Sequence, residues 1–320
     1  MKHIFSIACA AVMASSAVVA DEWDMPTPYG DKTFHTANII EFAKEVSEAS
    51  AGELNITVHS AGSLIKHAEI KNAVRGQQVQ IGEFFLSRLS NENAAYGVDS
   101  QPFVATSYDD AEKLWAAQKP VIEKLLAKQK LLPLFSVPWP PQGLYTDKEI
   151  KTVSDLKGLK FRAYNAALEQ FAALAGAAPT QVEAADIPQA FSTGQVEAMI
   201  TSPSTGANTK AWDFVSHYSP INAWVPKNIV VVNKAAFDAL NDNVKDIVLK
   251  AAATAEARGW EMSKQETSVK TAELTENGMI VVEPSDELLN GLKAIGLDMQ
   301  AAWQESASND AKAIIDSFNQ

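Results

Sequence analysis

Cysteine occurs once in the 320 residues, as Cys9, inside a stretch that reads as removed on export. Disulfides, thiolate metal sites and cysteine nucleophiles are thereby excluded from the rest of the chain. Histidine is nearly as scarce. His3, His35, His59, His67 and His217 are the complete set, no two stand at metal-ligand spacing, and each reads as a surface or packing residue. The sequence has no GxSxG elbow, no GxxxxGK(S/T) phosphate loop, no HExxH helix and no GxGxxG turn. Those absences remove the signatures of serine hydrolases, phosphate-loop enzymes, zinc proteases and dinucleotide binders. No cofactor and no metal are expected, and nothing demands catalysis.

Long apolar runs are missing too, apart from the N-terminus. Residues 1–20 place Lys2 and His3 before an apolar stretch from Ile4 to Ala14, then end in the small residues Val18, Val19 and Ala20. This order predicts a signal peptide cleaved near Ala20, too short to span a membrane. Lipid attachment at Cys9 is a poorer reading, because Ser6, Ile7 and Ala8 leave almost no apolar core before it. Basic charge is in deficit: the formal net charge is −12, one unit more negative without Lys2. An acidic surface argues against nucleic acid and anionic membranes as partners, so any anionic ligand must be drawn in by local cations.

What remains is an alternation of short strands and helices. Phe34, Ile39, Ile40, Phe42, Ala43 and Val46 lie on one helix face over 34–47, which Gly52 ends, and residues 54–58 alternate as a strand. A helix at 67–75 and a strand at 79–82 follow. Residues 109–130 have helical spacing, with Pro120 expected to start a second helix, and Leu131 to Val137 form a compact apolar strand closed by Pro138, Pro140 and Pro141. The rhythm resumes with a strand at 159–162, a helix at 166–175, a strand near Gln181, a helix at 186–192 and strands at 198–201 and 229–232. A long Ala-rich helix over 243–273, a strand at 280–282 and helical residues 285–318 complete it. Repeated alternation over roughly 300 residues predicts two α/β lobes, each with its own core.

One residue stands out chemically. In DLKGLKFR (155–162) a glycine turn leads into Leu159 and Phe161 alternating with Lys160 and Arg162, so Arg162 ends a half-buried strand. A guanidinium there offers a planar fork of donors that fits a carboxylate through two parallel bonds. Taken alone, a surface ion pair is the commoner reading of such an arginine.

FAKEV at 42–46, DLKGLKFR at 155–162 and AFSTGQVEAM at 190–199, in this order and behind a signal peptide, give the chain more. It resembles the DctP-type solute-binding proteins of tripartite ATP-independent periplasmic (TRAP) transporters along nearly all of its mature length. The resemblance implies an α/β, two-lobed periplasmic binding protein fold (class II-like) with crossing strands and a long helix shared by both lobes. Residues 21–139 with 228–267 would form lobe I, and 140–227 with 268–320 lobe II. It further implies a monomeric periplasmic protein that closes on an organic acid and passes it to integral-membrane permease subunits.

By the same resemblance Arg162 falls on the carboxylate-binding arginine, Asn165 on a ligand-side asparagine and Arg88 on a second cleft arginine. Thr201 stands where an asparagine amide commonly assists, Gln142 where some relatives place an arginine, Phe85 where sialic-acid-binding relatives have a glutamate, and Tyr164 where a proline is frequent. Phe84, Phe85, Trp139 and Trp224 would line the cleft beside the arginines, with Tyr29 and Tyr164 as further candidates, although aromatics by themselves are more often core. The expected ligand is an aromatic or apolar monocarboxylate. A small aliphatic keto or hydroxy acid, a sulfonate, a secreted enzyme acting on such acids, and the extracytoplasmic partner of a sensor are the alternatives.

Overall fold

A computed structural model describes residues 20–320; the expected signal peptide up to residue 19, Cys9 included, lies outside the described residues. The chain opens with β1 (Asp21–Pro26), α1 (Phe34–Ala49) and β2 (Leu54–His59), and β1 and β2 pair in parallel. Phe34, Ile39, Phe42 and Val46 turn the apolar face of α1 inward, as their spacing requires. A 3-10 turn at His67–Glu69 then leads into α2 (Ile70–Arg75) and β3 (Ile81–Phe85).

The next helix, α3, runs unbroken from Tyr108 to Ala127 with Pro120 inside it, where two helices were expected. Pro120 and Ala116, whose carbonyl loses its partner to the missing N–H, both lie on the exposed face, so water can take the vacant acceptor and the helix continues. Strand β4 (Leu131–Pro138) follows and ends in the proline cluster.

The second lobe holds β5 (Gly143–Thr146), β6 (Lys160–Ala163), α4 (Ala166–Leu174), β7 (Ala178–Gln181), α5 (Ile187–Ser192), β8 (Ala198–Thr201), α6 (Pro203–Asn208) and β9 (His217–Ser219). The chain returns to the first lobe through β10 (Lys227–Asn233), which lies between β3 and β4 and is antiparallel to both. After α7 (Lys234–Ala239) comes α8, from Asp242 to Glu276, then β11 (Ile280–Val281), α9 (Asp286–Ser306) and α10 (Asn309–Phe318). The six-stranded sheet of the second lobe has the order β11-β9-β5-β8-β6-β7. Helix α10, which the sequence reading assigns to the second lobe, packs on α3, with Ala311 and Ile314 in a first-lobe core. Among the described residues no helix is long and apolar enough to cross a membrane.

Besides the short link from α9 to α10, three connections tie the lobes together. The segments after β4 and before β10 cross side by side, with Trp139 N–H donating to the Pro226 carbonyl at 2.8 Å and Gln142 N–H to that of Trp224 at 3.0 Å. The third is α8, whose 35 residues reach about 50 Å at 1.5 Å each and pack against α1 and β4 in one lobe and α6 and β11 in the other. Its buried positions Val244, Val248, Ala252, Ala255, Gly259 and Ser263 recur at helical spacing.

Gly259 allows the close approach. A Cβ there would collide with Val137 and sit 2.8 Å from Asn38 Nδ2, the atom that donates to the Ala255 carbonyl. Gly→Ala within a helix normally gains up to ~1 kcal/mol, but overpacking costs ~1–3 kcal/mol. Gly259→Ala is therefore expected to lower the urea midpoint, and a stabilised variant would contradict this account of the α8 contact.

Candidate functional site

The cleft between the lobes closes around a cavity of about 50 Å³. Arg162 enters it from β6. Strand alternation sends Phe161 into the second-lobe core and Arg162 to the opposite face. The side chain is 3% exposed, its Nε donates to the Val182 carbonyl at 2.9 Å, and its guanidinium carbon lies 4.9 Å from the centre of the Tyr164 ring. Among the described residues its two terminal nitrogens make no hydrogen bond and no carboxylate pairs with it. Burial pulls its pKa down to about 10, with Tyr164 and Glu183 pulling the other way, so it stays a cation at neutral pH without a partner of its own.

Tyr164 is held from behind. Its hydroxyl donates to Gln142 Oε1 at 3.0 Å and accepts from Trp224 Nε1 at 2.8 Å, while Gln142 Nε2 donates to the Pro140 carbonyl at 2.7 Å. Gln142 and Tyr164 therefore line the cavity. Trp224 is instead a core residue supporting Tyr164, not a cavity wall, because its ring packs with Phe171 and Ala223 in the second-lobe core. Phe85 meets Tyr164 edge-on at 5.4 Å and lines the cavity. Phe84 does not: the alternation along β3 turns it into a first-lobe core beside Ile70 and Ile229.

Asn165 is also set back. Its Oδ1 accepts from Leu168 N–H at 2.8 Å as the N-cap of α4, and its Nδ2 donates to Ser87 Oγ at 2.8 Å. Both groups are spent, one on the helix and one on a bridge to the first lobe. Thr201, at the end of β8, does face the cavity, beside Ser202 and Thr205 of the α6 cap.

Tyr29 and Trp139 form another wall, edge to face at 5.0 Å. Asn228 Oδ1 accepts from the Tyr29 hydroxyl at 3.2 Å and from Trp139 Nε1 at 2.9 Å. Asn228 Nδ2 in turn donates to Glu83 Oε1 at 3.1 Å, and Thr27 Oγ1 donates to Glu83 Oε2 at 2.6 Å. Burial favours a neutral Glu83, but the His35 and Thr27 contacts outweigh it and hold the carboxyl below its ordinary range. A buried, hydrogen-bonded network of this kind fixes the orientation of both rings.

Among the cavity residues that escaped the sequence reading, two are titratable. His67 lines the cavity, where a surface or packing histidine was expected, and Glu183 faces it from the loop after β7. Phe85 N–H donates to His67 Nε2 at 3.1 Å, so the ring proton resides on Nδ1, which donates to Glu183 Oε2 at 3.1 Å. Burial lowers the His67 pKa, in keeping with that neutral form. Arg88 Nη1 reaches the other oxygen of Glu183 at 2.8 Å. Arg88 lines the cavity as expected, yet its charge is already paired. No local signal marks Glu183 among 39 acidic residues; only the packing of the lobes brings it to His67 and Arg88.

The DctP family model, described as "Bacterial extracellular solute-binding protein, family 7", matches residues 28–310. Among solved structures, the Bordetella pertussis extracytoplasmic solute receptor DctP6, described as binding pyroglutamic acid, is 44% identical, with 93% of this chain and 99% of that one covered and a TM-score of 0.92. DctP7 of the same organism, described in the same terms, is 42% identical, with 94% and 100% covered and a TM-score of 0.93. A marine metagenome TRAP solute-binding protein described as specific for pyroglutamate is 42% identical, with 94% and 99% covered and a TM-score of 0.91. The chain belongs to this family, the DctP-type solute-binding proteins of TRAP transporters, and is an extracytoplasmic receptor and not an enzyme.

Proposed function

We propose that this receptor captures a small cyclic monocarboxylate, with pyroglutamate as the leading candidate, and delivers it from the periplasm to a TRAP permease as a monomer whose signal peptide is cleaved near Ala20. The observation that carries the reading is Arg162, a buried cation with two uncommitted nitrogens in a cavity of about 50 Å³. A carboxylate would complete its hydrogen bonds and neutralise it, where a neutral solute would leave the charge uncompensated. Similarity to pyroglutamate-binding receptors supports the ring acid.

Cavity size and lining narrow the class. A single water needs ~10–15 Å³, so the space suits a compact ligand better than a sugar acid. Phe85 and Trp139 offer flat walls to a ring, as expected for an aromatic acid. Thr201 puts on the same cavity a hydroxyl with no hydrogen-bond partner among the described residues, and an all-apolar ring would leave it without one at ~1–3 kcal/mol. A lactam ring acid satisfies both kinds of wall.

We further take lobe I as 21–139 with 228–267, joined by α10, and lobe II as 140–227 with 268–306, closing by rotation about the crossing strands. A thermal-shift and competition panel tests the ligand class. Pyroglutamate at 100 times its Kd is expected to stabilise the protein by ~2.7 kcal/mol, with benzoate weaker and glucuronate weaker still. Benzoate or glucuronate displacing pyroglutamate at equal concentration would overturn the assignment.

A further inference from the structure

The ionisable groups on the cavity sum to one positive charge. Arg162 and Arg88 contribute two, and Glu183 takes one away. Although burial opposes its ionisation, the His67 hydrogen bond and the charges of Arg88 and Arg162 hold the Glu183 carboxyl below its ordinary range, so it is a carboxylate at neutral pH. His67 adds nothing, since the Phe85 N–H occupies its Nε2 lone pair and leaves the ring neutral. Burial raises the pKa of Tyr29 and Tyr164, so both remain neutral phenols.

The geometry of Glu183 gives that balance a cause. Its two oxygens are gripped by Arg88 at 2.8 Å and His67 at 3.1 Å, both from the first lobe, while Glu183 itself belongs to the second. The contact thus spans the two lobes and takes Arg88 out of play in this structure. We propose that Glu183 is the specificity-determining residue that restricts this site to ligands with a single carboxylate, by occupying Arg88 and leaving Arg162 as the one uncommitted cation on the cavity. The proposal rests on the carboxylate-binding role of Arg162 argued above. A monoanion brings the closed cleft to neutrality. A dianion would bury a second negative charge with no free cation to meet it and with the Glu183 carboxylate close by.

Glu183→Gln removes the charge while keeping the shape, at a half-exposed position where the fold should tolerate it, and Glu183→Ala serves as a second variant. Isothermal titration with pyroglutamate and glutarate compares a monoanion and a dianion of five carbons and equal non-hydrogen atom count. In the unaltered protein glutarate is expected to bind at least ~100-fold more weakly than pyroglutamate. In Glu183→Gln that ratio should narrow by ~10-fold or more, chiefly because glutarate gains as Arg88 is released. Adding Arg88→Gln to Glu183→Gln should cancel the gain. An unchanged ratio in both variants, with the two acids weakened alike, would reduce Glu183 to a lobe latch and overturn the proposal. So would an unaltered protein that takes glutarate as readily as pyroglutamate. Binding of neither acid would overturn the ligand reading of the preceding section, and this proposal with it.

Discussion

Arg162→Met is expected to weaken acid binding by ~2–5 kcal/mol, between about 30-fold and a few thousand-fold in Kd, without lowering the melting temperature of the ligand-free protein. Both halves follow from the same geometry. The side chain is 3% exposed, and the Val182 carbonyl is its one hydrogen-bond partner among the described residues. A buried charge so poorly compensated contributes little to folding or opposes it, and replacing it with an apolar residue of similar length is close to neutral. In the complex it would carry the only unpaired positive charge on the cavity. Arg162→Lys should also lose most of the affinity, because one ammonium cannot reproduce two parallel bonds while also holding the Val182 carbonyl. Titration calorimetry with pyroglutamate, beside a melt of each variant, checks both halves. Full affinity in Arg162→Met would remove the carboxylate role; a large drop in ligand-free melting would make the residue structural.

A second large effect is expected from a pair that touches no ligand. Lys227, the first residue of β10, and Asp99, in the 3-10 segment Ala94–Ser100, are both fully buried, with Lys227 Nζ 3.6 Å from Asp99 Oδ2. That separation is too long for a hydrogen bond, and Lys227 Nζ finds no other donor-acceptor partner; the Trp115 ring centre, 6.0 Å away, faces the ammonium. Burial raises the Asp99 pKa and lowers that of Lys227, while the charge of each partner opposes the shift of the other. Asp99 Oδ2 also accepts the Lys227 backbone N–H at 3.0 Å. Asp99→Ala therefore strands both a buried ammonium and a backbone donor, and should cost about 3–5 kcal/mol in urea unfolding. Combining it with Lys227→Met should recover much of the loss, since the stranded charge disappears. Because Lys227 follows Pro226 at the crossing between lobes, Asp99→Ala should also loosen the hinge and weaken ligand binding. A change under ~1 kcal/mol in Asp99→Ala would show that the pair is already relieved in some other way.

The elements whose apolar residues repeat at a clear period were legible in the chain itself. Helix α1, the strand at 198–201 and the long helix α8 lie within a few residues of where spacing places them, because one-sided burial imposes that spacing. Strands β1, β5 and β9 and helices α6 and α7 carried no such mark. They are short, and β5 is buried on both faces at all four positions, so its register comes from β8 and β9 on either side and not from its own pattern. The family resemblance, with Arg162 as its chemical centre, could also be read from residue order alone.

Which candidates reach the cavity was decided by tertiary structure. Phe84 and Phe85 are neighbours of identical chemistry, yet the pleat of β3 sends one into the core and the other to the ligand side. Trp224 and Asn165 lie close enough to be plausible, but hydrogen bonds to Tyr164, Leu168 and Ser87 commit them elsewhere. The charge balance of the cleft was least legible of all. It depends on Glu183 meeting Arg88 and His67 across 95 and 116 residues of chain, and such a juxtaposition leaves no local pattern. Sequence alone thus determined an exported two-lobed acid receptor with an arginine at its centre, because periodicity and motif order are local properties; the cavity's walls and net charge exist only once the two lobes face each other.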